Sequence, residues 1–411
     1  MYEGRKPELL APAKSLDILK TVVRYGADAV YIGGEAYGLR AKADNFNPDE
    51  MREGIAFAHD HGVKVYVTAN IFAHNDDIDG IKEYFHELKE IKPDAVLIAD
   101  PGVFALAREI MPEIPIHVST QANNTNYVSA DFWYRLGATR VVTARELSLE
   151  EIKTLRARIP ADMEIETFVH GAMCISYSGR CLLSNYFTGR DANHGECTHP
   201  CRWKYALVEE TRPGQYFPIA ENDRGTYIMN SKDLCMVDHL PDLFSAGIDS
   251  FKIEGRMKTA LDAATVVRTY RKAIDDYMES PDKYQENLPW YDKEIRSCTY
   301  RPFTTGFFYG KPSDEAQIYD SNTYEKGSTY LGTIRSIEKG FCQLTQKNKF
   351  SVGETIEIMK KDGRDLKARV LEIRNAEGEK MESAPHASEE LFVRLDQDAE
   401  PYDILRRQEE A

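Results

Sequence analysis

The sequence predicts a (β/α)8 barrel of the TIM type with a Cys-rich insertion after its seventh strand, followed by a small C-terminal all-β barrel domain. Three observations predict it. Short apolar runs alternate with amphipathic helical stretches from the start of the chain. There are eight such runs, the number that closes a barrel of this kind. From about Thr304 the spacing changes to short alternating strands broken by Gly, Asp, Asn and Lys turns, the pattern of a small β-barrel.

The eight strand candidates are Glu8–Ala11, Ala29–Gly33, Lys64–Asn70, Ala95–Asp100, Ile116–Thr120, Arg140–Arg145, Glu164–His170 and Phe251–Glu254. Several are apolar without alternation, as strands covered on both faces should be. Helical periodicity fills the gaps at Ser15–Tyr25, Asp49–His61, Gly80–Ile91 and Ser148–Arg158, with Ser15 and Ser148 placed as N-caps. A doubly wound open sheet is the competing arrangement, but Gly33-Gly34 after the second strand is not a dinucleotide fingerprint. Only the connection between strands seven and eight is long, about 80 residues, and loops of that length are usually functional. It reads as holding its own hairpin, Trp203–Glu209 paired with Gln215–Ile219 or Thr226–Met229. The domains follow: a barrel over 1–280 with the insertion at about 172–248, a polar linker over 281–303, and a β domain over 304–411 with strands at Tyr330–Ile337, Gly340–Leu344, Thr355–Met359, Leu366–Ile373 and Leu391–Leu395.

At 411 residues the chain exceeds one ordinary core, which also argues for two domains. Its composition, 42% hydrophobic and 29% charged, is that of a water-soluble protein. The N-terminus carries no apolar signal segment, and no stretch approaches the ~18 apolar residues of a membrane span, so a reducing cytoplasm is the expected compartment. The net charge of −15 argues against a broad nucleic-acid-coating surface. Residues 321–380 depart from it, with 12 Lys and Arg against 9 Asp and Glu. Lys347, Lys349, Lys360, Lys361, Arg364, Lys367 and Arg369 there would suit an RNA backbone, or be an ordinary solvated face.

A barrel enzyme works at the C-terminal ends of its strands. Those ends read Pro12 and Lys14, Gly33-Gly34, Asn70, Asp100, Ser119-Thr120-Gln121, Arg145-Glu146, His170 and Glu254-Gly255-Arg256. Arg145, His170, Glu254 and Arg256 are the catalytic candidates. Two arginines in one mouth suit a substrate bearing carboxylates or phosphates, and His170 is a candidate general base. Helix capping and mutual pairing are the bland alternatives for the same residues.

Five of the seven cysteines, Cys174, Cys181, Cys197, Cys201 and Cys235, fall in one 62-residue window. Disulfides do not suit a reducing compartment. Zinc has His194 and His199 nearby, but C-x6-C is not a zinc-knuckle spacing. An iron–sulfur cluster asks for about four thiolates, and five are present. A catalytic thiol would need only one. Cys298 and Cys342, outside the window, read as unpaired core or surface thiols. Tyr177, Tyr186, Phe187, Trp203 and Tyr205 would either stack on a base or form the core of the inserted lobe.

The string Glu166-x-Phe168-x-x-Gly171-Ala-Met-Cys174-x6-Cys181-x-Leu183-Ser184, with Gly179 in the gap, resembles the signature of peptidase family U32, the collagenase-like group. Further matching strings are Glu8-Leu-Leu-Ala-Pro12, Ala27-Asp-Ala-Val-Tyr31, Cys197-x-x-x-Cys201-Arg-Trp203, Asn230-Ser-Lys-Asp-Leu-Cys235 and Lys252-Ile-Glu-Gly-Arg256. The likeness is greatest to the longer, TrhP-type members, which hydroxylate transfer RNA. The resemblance implies a [4Fe–4S] cluster on Cys174, Cys181, Cys235 and one of Cys197 or Cys201, with zinc as the alternative metal. Cys197 is preferred because Cys201-Arg-Trp-Lys-Tyr reads as the start of a strand. It further implies oxygen-independent formation of 5-hydroxyuridine at the wobble position of tRNA, with prephenate or a similar small carboxylate as co-substrate and a possible family-member partner protein. The competing activity is the hydrolysis in the family name, although the chain has no His-Glu-x-x-His and no Gly-x-Ser-x-Gly. A non-catalytic subunit of a hydroxylase complex is the third reading.

Overall fold

The computed structural model describes residues 5–35, 37, 45–174, 176–203, 206–207, 217–218, 230–255, 258–312, 316–318 and 325–409. Eight strands, β1 Glu8–Pro12, β2 Ala29–Gly33, β3 Lys64–Thr68, β4 Ala95–Ile98, β5 Ile116–Val118, β6 Arg140–Val142, β7 Glu164–Ala172 and β8 Ser250–Ile253, pair in parallel and in chain order. β8 bonds to both β1 (Leu9↔Phe251) and β7 (Phe251↔Thr167), so the sheet closes on itself. Each of the eight predicted strands is one of these. Between them lie α1 Leu16–Arg24, α2 Pro48–Asp60, α3 Ile78–Ile91, α4 Pro101–Ile110, α5 Tyr127–Arg135 and α6 Leu149–Arg158, then the short α7 Leu183–Thr188 in the insertion and α8 Leu240–Ser245 before β8. Local chemistry sets the starts. Ser148 and Glu151 form a capping box on α6, Asn47 and Glu50 another on α2, and Ser15 Oγ accepts from Ile18 N at 3.4 Å.

The barrel interior is charged near the strand starts. Arg140 of β6 bonds Glu8 of β1 at 2.7 Å and Glu166 of β7 at 2.9 Å, and Lys252 of β8 bonds Glu166 at 2.6 Å. Tyr66 of β3 donates to Glu8 at 2.6 Å. β1, β3 and β6 are not neighbours, so these side chains meet only across the interior, which fixes residues 164, 166 and 168 of β7 as inward-facing by the period of two. Burial alone would raise the Glu8 carboxyl. The Arg140 charge and its hydrogen bonds outweigh that and hold it below the usual range.

Residues 1–19, 28–257 and 301–323 cluster as one compact unit, and 20–27, 258–300 and 324–411 as a second. The predicted polar linker is overturned in part: Pro281–Ile295 is a helix, α10, following α9 Ala260–Glu279. Ser280 accepts from Asp282 N, Pro281 occupies the first turn, and Tyr284, Tyr291 and Ile295 recur at helical spacing as its buried face. Its many Asp, Glu, Lys and Asn residues hid that spacing. Phe303, predicted as the end of the linker, and Thr304, predicted to open the β domain, pair instead with Asp233 and Leu234 in the first unit. The β domain is an antiparallel sheet in which strands Thr355–Met359, Ile404–Gln408, Ser328–Glu338, Phe341–Thr345, Glu390–Leu395 and Leu366–Arg374 join in a ring, closed by pairing of Thr355–Met359 with Leu366–Arg374. Leu331, Ile334, Leu344, Ile356, Val370, Leu391 and Leu405 fill it. Among the described residues no helix is long and apolar enough to cross a membrane.

Within the second unit, Glu294 of α10 lies buried between Arg268 of α9 and Arg406, bonding Arg406 Nη1 at 2.8 Å. Burial would raise its carboxyl, but the two guanidinium charges bring it down to about 2. A carboxyl lowered on folding stabilises fully above its unfolded value near 4.5, and that contribution fades as the pH falls toward about 2. Glu294→Gln should therefore cost about 3 kcal/mol at neutral pH. Urea unfolding of the full chain at a series of pH values should show a shallower loss of stability in acid for the variant. An acid limb identical to that of the wild type would contradict this assignment.

Candidate active site

Barrel closure gathers the C-terminal strand ends on one rim, and β7 makes that rim uneven. β7 is nine residues long because its last three pair antiparallel with Asp233–Cys235, the strand that returns from the insertion. The register is Asp233↔Ala172, Leu234↔Gly171 and Cys235↔His170. Gly171 has φ +108°, and a Cβ there would stand 2.4 Å from the Glu254 carbonyl oxygen. Only glycine permits this approach of β7 to the end of β8.

Arg145, three residues beyond β6, is the centre of the rim. Its Nη1 donates to the Ala172 carbonyl at 2.6 Å and its Nη2 to Cys174 Sγ at 3.2 Å. The guanidinium carbon lies 4.9 Å from the centre of the inward-facing Phe168 ring, a cation–π distance. Burial would lower the Arg145 pKa, but Cys174, Glu254 and Glu146 together raise it, so it remains a cation. Burial pushes the Glu146 carboxyl above its usual range despite Arg145. Tyr31 Oη donates to Glu254 Oε2 at 3.3 Å and to the Ile253 carbonyl at 3.0 Å, orienting the carboxylate from inside the barrel. The structure thus brings Arg145, Glu254 and Cys174 together.

The loop from Cys174 to Cys181 is pinned across the rim. Gly179 has φ +75°, and a Cβ there would lie 2.5 Å from the Phe72 ring. Arg180 Nε donates to Asn123 Oδ1 at 3.0 Å, and its guanidinium lies 4.6 Å from the Phe72 ring centre. Asn123 Nδ2 donates to the Ser178 carbonyl at 3.0 Å. Below this loop, Asn70 Nδ2 donates to Ser119 Oγ at 3.1 Å and Gln121 Oε1 at 2.9 Å, so the polar ends of β3 and β5 are satisfied by one another.

Other expected residues are placed differently. His170 is in register with Ile253, which alternates with the inward-facing Lys252. It therefore stands on the face opposite that of Lys252, 5.7 Å from the Phe303 ring centre and in register with Cys235. A register shift between Lys252 and Ile253 is what turns it to that face. Arg256 lies outside the described residues, as does Tyr205. Asp100 is a helix cap, accepting from Gly102 N and Val103 N on α4. Cys201 lies in the short 3-10 turn Pro200–Arg202 and not at the start of a strand. The inserted hairpin is described at Ala206–Leu207 paired with Phe217–Pro218.

Among the described residues no disulfide joins any of the seven cysteines. Cys298 and Cys342 are core thiols, both pushed up by burial, Cys342 to about 11. The five in the window are exposed or half-buried. That donor set has the chemistry of a soft-metal or iron–sulfur site. Its positions do not yet form one: among the described residues no three His, Cys, Asp or Glu side chains gather closely enough to hold a metal ion. Cys174 lies against Arg145 and Cys197 accepts from His199 N at 3.4 Å, whereas Cys235 stands beside His170. Sequence reasoning missed Phe72, Phe168 and Asn123. Phe168 is marked by its place in the Glu166–Ser184 string, whereas no local signal marks Phe72 and Asn123, which act through partners at least 50 residues away in the chain.

Residues 14–318 match peptidase family U32, and residues 326–406 match the peptidase family U32 C-terminal domain. A Bacillus subtilis protein named tRNA hydroxylation protein P1 is 38% identical over 98% of this chain and 95% of its own length. The Escherichia coli tRNA hydroxylation protein P is 38% identical over 98% of this chain and 97% of its own. The 23S rRNA 5-hydroxycytidine C2501 synthase of Escherichia coli is 36% identical over 86% of this chain, which spans 49% of that protein. With both parts of the chain matched and full-length relatives at this identity, the protein belongs to peptidase family U32.

Proposed function

We propose that this protein hydroxylates RNA, and specifically forms 5-hydroxyuridine at the wobble position of tRNA without molecular oxygen. The observation that carries the proposal is the rim: a cationic Arg145 bonded to Cys174 and stabilised by the nearby charge of Glu254, at the C-terminal end of a closed barrel. The names of the full-length relatives, tRNA hydroxylation proteins, support the coarser part of this reading, hydroxylation of RNA. Hydroxylation replaces the C5–H bond of the base with C5–OH, a two-electron oxidation that balances when the oxygen donor is itself reduced by two electrons and the C5 proton passes to a base. Prephenate or a similar dicarboxylate is the proposed co-substrate. Arg145 uses one N–H on each Nη for Ala172 and Cys174, which leaves others for a carboxylate. Glu254, oriented by Tyr31, faces the same side and would accept a proton or position the base.

Cys174, Cys181, Cys235 and Cys197 or Cys201 would hold a [4Fe–4S] cluster, which when bound supplies redox chemistry or a Lewis-acidic iron. Cys201 regains standing as the fourth thiol, because the strand that argued against it is a turn.

Anaerobically purified protein should carry about four iron and four sulfide per chain; a colourless protein with one zinc would contradict the cluster. Arg145→Gln should lower kcat/KM for the carboxylate co-substrate by about 10- to 100-fold, the loss of a charge-assisted pair, with folding intact. Rates unchanged from the wild type would remove Arg145 from the site. Mass spectrometry of tRNA nucleosides from a deletion strain should show loss of 5-oxygenated wobble uridines. Their persistence, with accumulation of a peptide substrate, would favour hydrolysis instead.

A further inference from the structure

The aromatic residues of the insertion admit two roles, core of a small lobe or stacking surface, and their exposure decides between them. Tyr186 is 82% exposed, Tyr177 and Trp203 45% each, and Phe187 41%. A lobe core would be buried. These rings instead form a run on the surface: Tyr186 and Phe187 meet edge to face at 5.1 Å between centroids, and Phe187 and Trp203 lie 6.4 Å apart. Exposed rings gathered like this mark an interaction site.

We infer that this face is a stacking platform for unpaired nucleobases of the RNA substrate, an assignment that rests on the RNA-modification reading above. Three observations select that occupant. Charge is the first: over residues 176–203 three arginines face two acids, in a chain whose net charge is −15. Arg180 and Arg190 there are exposed, so the segment that carries the rings carries cations as well. Continuity is the second. The platform follows directly on the Cys174–Cys181 loop, which Gly179 and Arg180 fix against Phe72 at the rim. A base stacked there lies in a segment joined to the reaction centre. Ring chemistry is the third: every base has a π-face, and that face is available to a protein ring only when the base is unpaired. Stacking adds affinity that tolerates any base and is lost when the bases are paired.

The test uses the full-length protein and two RNA probes, an anticodon stem–loop oligonucleotide and a fully paired duplex of the same stem. Tyr186→Ala, Phe187→Ala and Trp203→Ala should each weaken stem–loop binding about 10-fold, within the range of single-base stacking. Tyr186→Trp should retain wild-type affinity, and duplex binding should be weak and unchanged throughout. The log–log salt slope of stem–loop binding should be the same in the alanine variants as in the wild type, because the rings neutralise no phosphate. Stem–loop affinities within twofold of wild type in all three alanine variants would overturn the platform and leave the RNA reading standing. Failure of the wild type to bind the stem–loop would overturn both. A fall in molecular mass by light scattering in the variants, with RNA binding unchanged, would assign the face to a protein partner and overturn the proposal.

Discussion

Closure of eight parallel strands is the constraint from which the rest follows. The hydrogen bonds of β8 to β1 and β7 remove both sheet edges, and they send the eight C-terminal ends to one rim. Inside, Arg140 ties Glu8 and Glu166 together while Lys252 satisfies the second oxygen of Glu166. These pairs offset the cost of charge in the interior only because each carboxylate is met by a cation. They also occupy the middle of the barrel, which leaves the rim as the place where a substrate can meet polar groups.

The rim is built by one departure from regularity. β7 runs past its neighbours and takes the returning strand Asp233–Cys235 as an antiparallel partner. That pairing carries the Ala172 carbonyl and Cys174 to Arg145. The same insertion then crosses the rim, held by Phe72 and Asn123, and ends in exposed rings. The proposed reaction centre and the proposed recognition surface therefore both draw on one stretch of chain. This fits a division of labour in which strand ends supply the charged groups and the insertion supplies soft donors and stacking faces.

Much of this was legible in the sequence because barrel strands covered on both faces leave continuous apolar runs, and helices such as α6 announce their starts with Ser148 and Glu151. That Arg145 and Glu254 lie at strand ends could be read by counting residues along β6 and β8. His170 was misplaced for a reason counting cannot detect: one irregular register position inverts the face a side chain takes. α10 was hidden by its polar composition, since three buried residues, Tyr284, Tyr291 and Ile295, carry its pattern. Whether Tyr186 and Trp203 were core or surface was likewise undecidable, because both roles use the same residue types and only tertiary packing separates them.

The central claim is that the Arg145–Cys174 contact marks the reaction centre of an RNA hydroxylase. The most direct measurement is complementation of a deletion strain with wild-type, Cys174→Ala and Arg145→Gln chains at matched protein levels, followed by mass spectrometry of the wobble uridines. The account predicts that the wild type restores the 5-oxygenated nucleoside and that Cys174→Ala restores none. Full restoration by Cys174→Ala would contradict it.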